Sequence, residues 1–478
     1  MKHGAASRLA ADAALLVALK ASASALVLWS GFRAVSDDDY ARVVIAQRFA
    51  ESPSLDPSGT SWLPLPFYVY GGALRLFGSS LGVARGVAMM LGLASALLVF
   101  WAARLLGLGR GGALLGAALG ALFPYAAYLG AAMVPEAMTG ALAVLAAATL
   151  GTRDLRLRLL GAGALFAATA ARYEPWALGA LFAGLTAWDA YKARNPRWLL
   201  PAGVALAFPV LWLLHGTFRH GDATFFVSRV AAYRAALGPP EPLFARWLHT
   251  PVACLRGEPE LGALFLFFAL PVLYRTRAWA HPSLQRFALS LLAILALSLL
   301  ADLRGTAATH HAERALFAVW LGVALLLGAA AQSLVELSPR ARRRALAAAA
   351  VAVLAGSLIR LSSPREAFVD RRSAVDIGAL ARREGVARLG IDSGDYAFFA
   401  VQAGFGRPTA THVVDDHDPR KPRPEDLLTR DVPRFAAALS RARVTSLVLP
   451  KSRAPLARSL GTLSGENADW VLLALSRR

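Results

Sequence analysis

The sequence predicts a polytopic α-helical membrane protein of about eleven transmembrane helices, followed by a small C-terminal α/β domain on the extracytoplasmic side. Three observations lead there. Of the 478 residues 56% are hydrophobic, the mean hydropathy is +0.47, and the apolar residues are gathered in segments of membrane-spanning length. The loops between those segments alternate between basic and acidic character. After residue 361 the charge rises and the apolar runs shorten to strand length, as in Ala387 to Asp392 and Val444 to Pro450.

The first span is expected near residues 12–34. Lys2 and Arg8 precede it and no small-residue cleavage signature follows, so it reads as an uncleaved helix. It carries Lys20, whose ammonium must face a protein interior or snorkel. The first outer loop, 35–79, opens with Ser36-Asp37-Asp38-Asp39-Tyr40. Within it, 40–52 and 64–77 have helical spacing but are too short to cross a bilayer, so both are expected to lie at the interface. Further spans are expected near 80–103, 111–133, 137–150, 159–173, 175–190, 199–215, 259–274, 287–302, 315–335 and 345–361.

Charge tests that alternation. With the N-terminus inside, the inner loops hold Arg104 and Arg110; Arg153, Arg156 and Arg158; Lys192, Arg194 and Arg197; Arg275, Arg277 and Arg286; and Arg340 with Arg342 to Arg344. Every one is basic, so the net charge of +20 is read as topology, and no nucleic-acid partner is expected. The acidic and histidine-bearing turns then share the outer face, and an odd number of spans sends the tail there too. The expected division is a transmembrane domain, 1–361, and an extracytoplasmic α/β domain, 362–478. Arg in excess of Lys, with abundant Ala and Gly, points to a GC-rich bacterial genome and hence an inner-membrane location.

The single cysteine, Cys254, excludes an internal disulfide and any Cys-based metal cluster. Asp37, Asp38 and Asp39 are the candidate catalytic groups, because adjacent carboxylates raise one another's pKa and are costly to hold together without a task. Ser36 and Asp39 also have the spacing of a capping box. Successive residues on a helix fan out by about 100°, so at most two of the three can aim at one substrate. A divalent cation at this cluster is conceivable, although no cofactor or metal is required. Glu136, after Pro135, is either a helix-start charge or a pocket carboxylate beside the Asp cluster. In Arg172-Tyr173-Glu174-Pro175-Trp176 the two charges can neutralise each other, and the aromatic residues suit a membrane interface. His310 and His311 adjoin Glu313, but neighbouring histidines diverge on a helix and no third His or Cys has ligand spacing, so zinc is not indicated. The pair is grouped instead with Arg314 and Arg172 as donor- or phosphate-binding groups. The planar guanidinium of Arg314 suits phosphate; the alternative is a pairing with Glu313. In the tail, Asp392-Ser393-Gly394-Asp395-Tyr396 and Asp415-Asp416-His417-Asp418 read as solvated turns rather than metal sites.

One span, an outer loop opening on Asp-Asp and Tyr, a Trp62-Leu63-Pro64-Leu65 element before a membrane-surface helix, a Pro135-Glu136 turn and an Arg172-Tyr173-Glu174 turn together resemble the glycosyltransferase C superfamily. The likeness covers about residues 12–335. It is to the branch with protein O-mannosyltransferases and aminoarabinose transferases. It implies transfer of a sugar from a polyprenyl-phosphate donor to a glycan, lipid or protein acceptor on the outer side, with Asp37 or Asp38 as the catalytic carboxylate. Arg314, Arg172, His310 and His311 would serve the donor, and Trp62, Glu136, Tyr173, Glu174 and Glu313 would line the pocket. Three Asp in register, and Trp-Leu-Pro-Leu where His-Pro-Pro is commoner in that branch, set this chain apart. The rival readings are a secondary transporter, which would carry repeated halves that are not seen, and a non-catalytic assembly protein.

Overall fold

The computed structural model describes residues 2–239, 241–305, 312–362, 368–422 and 424–476. Six of the described helices are long and apolar enough to cross a membrane: Ser7–Trp29, Leu81–Leu105, Pro196–His220, Pro282–Leu303, Phe317–Glu336 and Pro339–Leu361. A seventh crossing is available if Leu243–Gly257 and Pro259–Arg275, bent by 93° at Pro259, act as one broken span. The protein is thus a multi-pass membrane protein. Shorter apolar helices, Arg110–Leu122 and Glu136–Thr149, occupy the segments expected at 111–133 and 137–150, so length and composition support six or seven crossings and leave the expected eleven unreached.

The break after Arg110–Leu122 has a local cause. Pro124 lacks an N–H and opens a separate short helix, Pro124–Leu129. The Tyr125 N–H that would have continued the ladder donates to Glu258 instead, at 2.8 Å. The freed Ala121 carbonyl accepts from Lys20 Nζ at 3.1 Å, and Ala126 O accepts at 2.6 Å. Lys20 therefore faces the protein interior, as one of the two expected placements required. Helix Phe317–Ser333 is almost wholly buried against Arg110–Leu122. Their backbones meet so closely that a Cβ on Gly328 would lie 2.3 Å from the Gly112 carbonyl oxygen.

The two helices expected in the first loop are Asp37–Glu51 and Leu65–Phe77, packed against each other. Beyond the last long helix comes a five-stranded sheet, β1 (Leu389–Ile391), β2 (Thr411–Val413), β3 (Ser446–Pro450), β4 (Gly461–Glu466) and β5 (Trp470–Leu475), in the order β2-β1-β3-β5-β4. β2, β1 and β3 are parallel, while β5 is antiparallel to β3 and β4. Side chains alternate across it: Val448 and Leu472 join helices Arg372–Arg383 and Phe398–Phe405 on one face, whereas Leu447, Leu449, Val471 and Leu473 join Phe435 and Leu439 of helix Val432–Arg441 on the other. The first face does not close on itself. Its core continues through Tyr40, Val43, Val44 and Ala46 into Tyr70, Leu74, Ala84 and Ala88, so the expected domains share one hydrophobic core at the Asp37 helix.

Candidate functional site

Helix Asp37–Glu51 begins with three carboxylates that go three ways. Asp39 is fully buried and turns back on its own N-terminus: its Oδ2 accepts from Val35 and Ser36 N–H at 3.2 and 3.4 Å, and its Oδ1 from Met133 N–H at 2.9 Å. This is the reciprocal half of the expected capping box. Asp37 is gripped bidentately by Arg371, Nε and Nη2 both at 3.0 Å. Asp38 pairs with Arg314 Nη1 at 3.0 Å yet keeps 43% of its side chain accessible. The fan predicted from helical geometry is real, and it leaves Asp38 as the carboxylate open to a ligand. Burial pushes Asp39 up to about 6, against the pull of Arg314, Arg85 and the backbone N–H groups. For Asp38 burial also raises the pKa, but Arg314 and Arg42 outweigh it and hold the carboxyl below the usual range. The raised pKa expected of a catalytic base falls on the sealed residue, because burial and accessibility are opposed here.

Behind Asp38 lies a buried ion network. Arg314 Nε donates to Glu136 Oε1 at 2.7 Å, and Arg172 reaches the same oxygen while also holding Glu174, Nε to Oε2 at 2.9 Å. The proposed Arg172–Glu174 neutralisation is present, with Glu136 added to it. Arg314 is not the partner of Glu313, which lies beside Gly257. Tyr173 stacks on Phe226 at 4.5 Å and, with Trp176, forms an aromatic wall next to Glu174. His310 and His311 lie outside the described residues.

Two residues here were not singled out from sequence. Arg42 follows Asp38 by one helical turn, and its guanidinium lies 4.4 Å over the Trp62 ring. Its Nε is buried without a hydrogen bond, as are Arg314 Nη2 and Glu136 Oε2. Among the described residues Arg42 pairs with no carboxylate, and it lines a recess with Pro66, Phe67, Tyr70, Met133 and Pro135. Burial lowers its pKa to about 10, so it stays cationic at neutral pH. The i,i+4 spacing from Asp38 was the available signal. Arg371 had none, since it lies 334 residues from Asp37.

The three Asp carboxylates do not converge, so a cation bridging them has no geometric support. A different set does converge: Asp56, His215 and His220 present ligand atoms within 4.8 Å of one another, and Nε2 of both histidines is buried without a partner. These residue types and this spacing could hold a divalent metal.

With this geometry in hand, the chain is defined as a membrane-embedded helical fold carrying an α/β unit docked over a carboxylate–arginine site. Its fold is shared with ArnT from Cupriavidus metallidurans. The chain matches the crystal structure of ArnT in the apo state with a TM-score of 0.61 at 14% identity, over 98% of both chains. It matches ArnT bound to undecaprenyl phosphate with a TM-score of 0.59 at 14% identity, over 96% of this chain and 97% of that one. No family model and no curated protein matches the sequence. The fold implied by the resemblance drawn from the sequence is the fold observed, over the whole length rather than to residue 335.

Proposed function

We propose that this protein is a membrane glycosyltransferase that moves a sugar from a polyprenyl-phosphate donor to an acceptor at the extracytoplasmic face of a bacterial inner membrane. The observation that carries the reading is the placement, on one helix, of an accessible carboxylate, Asp38, and a guanidinium one turn later, Arg42, that makes no ion pair with a carboxylate among the described residues. A guanidinium with a buried, unused N–H beside an apolar recess suits an anion with an apolar tail. A similar fold has been solved with undecaprenyl phosphate bound, which supports a lipid phosphate as that anion.

In this reading the acceptor hydroxyl lies against Asp38. Its oxygen bonds to the anomeric carbon of the donor while the bond from that carbon to the phosphate oxygen breaks. The electron pair leaves with the polyprenyl phosphate, and the hydroxyl proton passes to Asp38. An ionised carboxylate with a low pKa orients the hydroxyl throughout and takes the proton late. Arg42 receives the departing phosphate, with Arg314 behind it. Glu136, Glu174 and Arg172 hold Arg314 and the mouth in place, and Trp62 fixes the plane of Arg42. Whether the donor sugar is a hexose, as in the mannosyltransferases, or a pentose is decided by groups that meet the sugar ring.

The test is purification with native lipid followed by mass spectrometry of co-bound lipids. A polyprenyl-phosphate sugar retained by the wild type and lost from Arg42→Ala is the expected result. Equal retention by Arg42→Ala removes Arg42 from the site, and the absence of any such lipid from the wild type overturns the reading.

A further inference from the structure

Asp56, His215 and His220 take no part in the proposed transfer, yet two separate segments bring them together. Asp56 lies in the loop between helices Asp37–Glu51 and Leu65–Phe77, and both histidines lie near the end of helix Leu199–His220. Gly221, at a left-handed φ of 69°, closes that helix and turns the chain toward Phe225. Each imidazole rests on an aromatic ring. His215 stacks on Trp212 with centroids 4.9 Å apart, and His220 stacks on Phe225 at 4.2 Å. The two imidazoles stand nearly at right angles with centroids 5.7 Å apart. Stacking thus fixes both ring planes without using their nitrogens.

Nε2 of both rings is buried with no hydrogen-bond partner. Folded proteins rarely leave one such atom idle, and two side by side point to a missing ligand. Asp56 supplies a negative charge. The Ser58 hydroxyl, at 3.2 Å, and the Gly59 N–H, at 3.0 Å, both meet its Oδ1, which leaves Oδ2 for a cation. The Arg229 guanidinium nearby is turned to the Gly59 carbonyl and the Phe225 ring. Three ligand atoms within 4.8 Å of one another all lie within about 2.8 Å of a common centre, so each moves by less than about 1 Å to reach zinc-bond lengths of about 2.0–2.2 Å.

We propose that Asp56, His215 and His220 bind a zinc ion, with water in the fourth position, and that the ion pins loop 52–64 to helix Leu199–His220. Two imidazoles and one carboxylate match zinc, whereas calcium and magnesium take oxygen ligands. The pinned loop carries Trp62, on which Arg42 stacks. The Ser58 hydroxyl beside Asp56 also lies 2.9 Å from the Trp62 carbonyl, so the ion holds the backbone that aims this ring. Leu63 already packs against Trp212, Phe225 and Phe226, but apolar contact is non-directional, and coordination adds a fixed register. The inference stands independently of the glycosyltransferase reading.

The experiment uses full-length protein purified in detergent without a polyhistidine tag, stripped with a chelator, incubated with excess zinc chloride and passed through gel filtration. Bound metal is counted by plasma mass spectrometry. Wild type is expected to keep about one zinc per chain, and His215→Gln and His220→Gln at least about tenfold less. Elution profiles check the fold of each variant, and if His215→Gln does not fold, His220→Gln, at the helix end, decides. Amide hydrogen exchange over residues 52–64 should slow at least about tenfold when zinc is added to stripped wild type, and should not respond in His220→Gln. No zinc retained by the wild type, or equal retention by the histidine variants, overturns the site and leaves water as the partner of the imidazoles. Zinc retained at these residues without slower exchange overturns the pinning.

Discussion

Two buried arginine clusters in this protein answer their charge differently. Arg158, 1% accessible, spends every nitrogen: Nε bonds Thr149 O, Nη1 the Thr186 hydroxyl, and Nη2 the carbonyls of Leu150 and Thr152 and the carboxylate of Asp189. Arg286 closes the same cluster, holding Asp189 at 2.6 and 2.7 Å. Around Asp38 two arginines, Arg314 and Arg172, pair with three carboxylates while Arg42 pairs with none, and Arg42 Nε, Arg314 Nη2 and Glu136 Oε2 have no hydrogen-bond partner among the described residues. An unpaired buried polar group costs about 1–3 kcal/mol. A cluster that has spent its donors on backbone carbonyls staples helices together, whereas buried donors left idle are what the proposed donor phosphate would use.

The largest expected effect tests the idle cluster. Asp38→Asn preserves shape but cannot take a proton, and single-turnover transfer with saturating donor should fall by about 10² to 10⁴. Asp37→Asn should cost less, because Asp37 is taken up by Arg371 whereas Asp38 stays more accessible. If the two variants lose equal activity, the division of labour on this helix is wrong.

Next comes the saturated cluster. Arg158→Met removes the partner of three carbonyls and leaves Asp189 to Arg286 alone, so unfolding stability should drop by about 3–5 kcal/mol, read from thermal or denaturant unfolding in detergent. Donor affinity in the folded fraction should not change. Altered donor binding would mean that the two clusters are coupled.

Arg42→Lys keeps the charge but loses the planar fork and the stack on Trp62. Donor dissociation should rise about tenfold to a hundredfold, equivalent to about 1.5–3 kcal/mol for a charge-assisted bond. An unchanged constant would return the phosphate to Arg314.

The smallest effect is with pH. Asp38 is held below the ordinary carboxylate value of 3.8, so it stays ionised as the solution is acidified, and transfer should be flat from pH 7 down to about pH 5. Asp39, raised to about 6, takes up its proton first on acidification and does so in the folded state before the unfolded one. Its protonation therefore adds stability as pH falls from about 6 toward 3.8 and removes it as pH rises through that window. A rate profile that falls with an apparent pKa near 6 would make Asp39 the operative group.

Much of this was legible in the chain. The apolar segments, the two helices after the first span, the capping role of Asp39 and the strand-length runs of the tail all follow from periodicity and local chemistry, which depend on neighbours a few residues apart. The candidates Glu136, Arg172, Glu174 and Arg314 were recoverable because buried charges near helix ends are costly and rarely idle. Local reasoning could not apportion them. It kept Asp37 and Asp38 equivalent, offered Glu313 to Arg314, and gave Arg42 no particular role. Which carboxylate of an adjacent three stays open is decided by what packs on each side of the helix. Here that is Arg371 from the far end of the chain, Arg314 from the turn before helix Phe317–Ser333, and the Met133 backbone. The sequence by itself determined that a helix would start at Asp37 and fan three charges outward, because helical geometry is a property of the backbone. Only the tertiary structure decided where each charge landed, because ion partners are chosen by the long-range packing that brings them within reach.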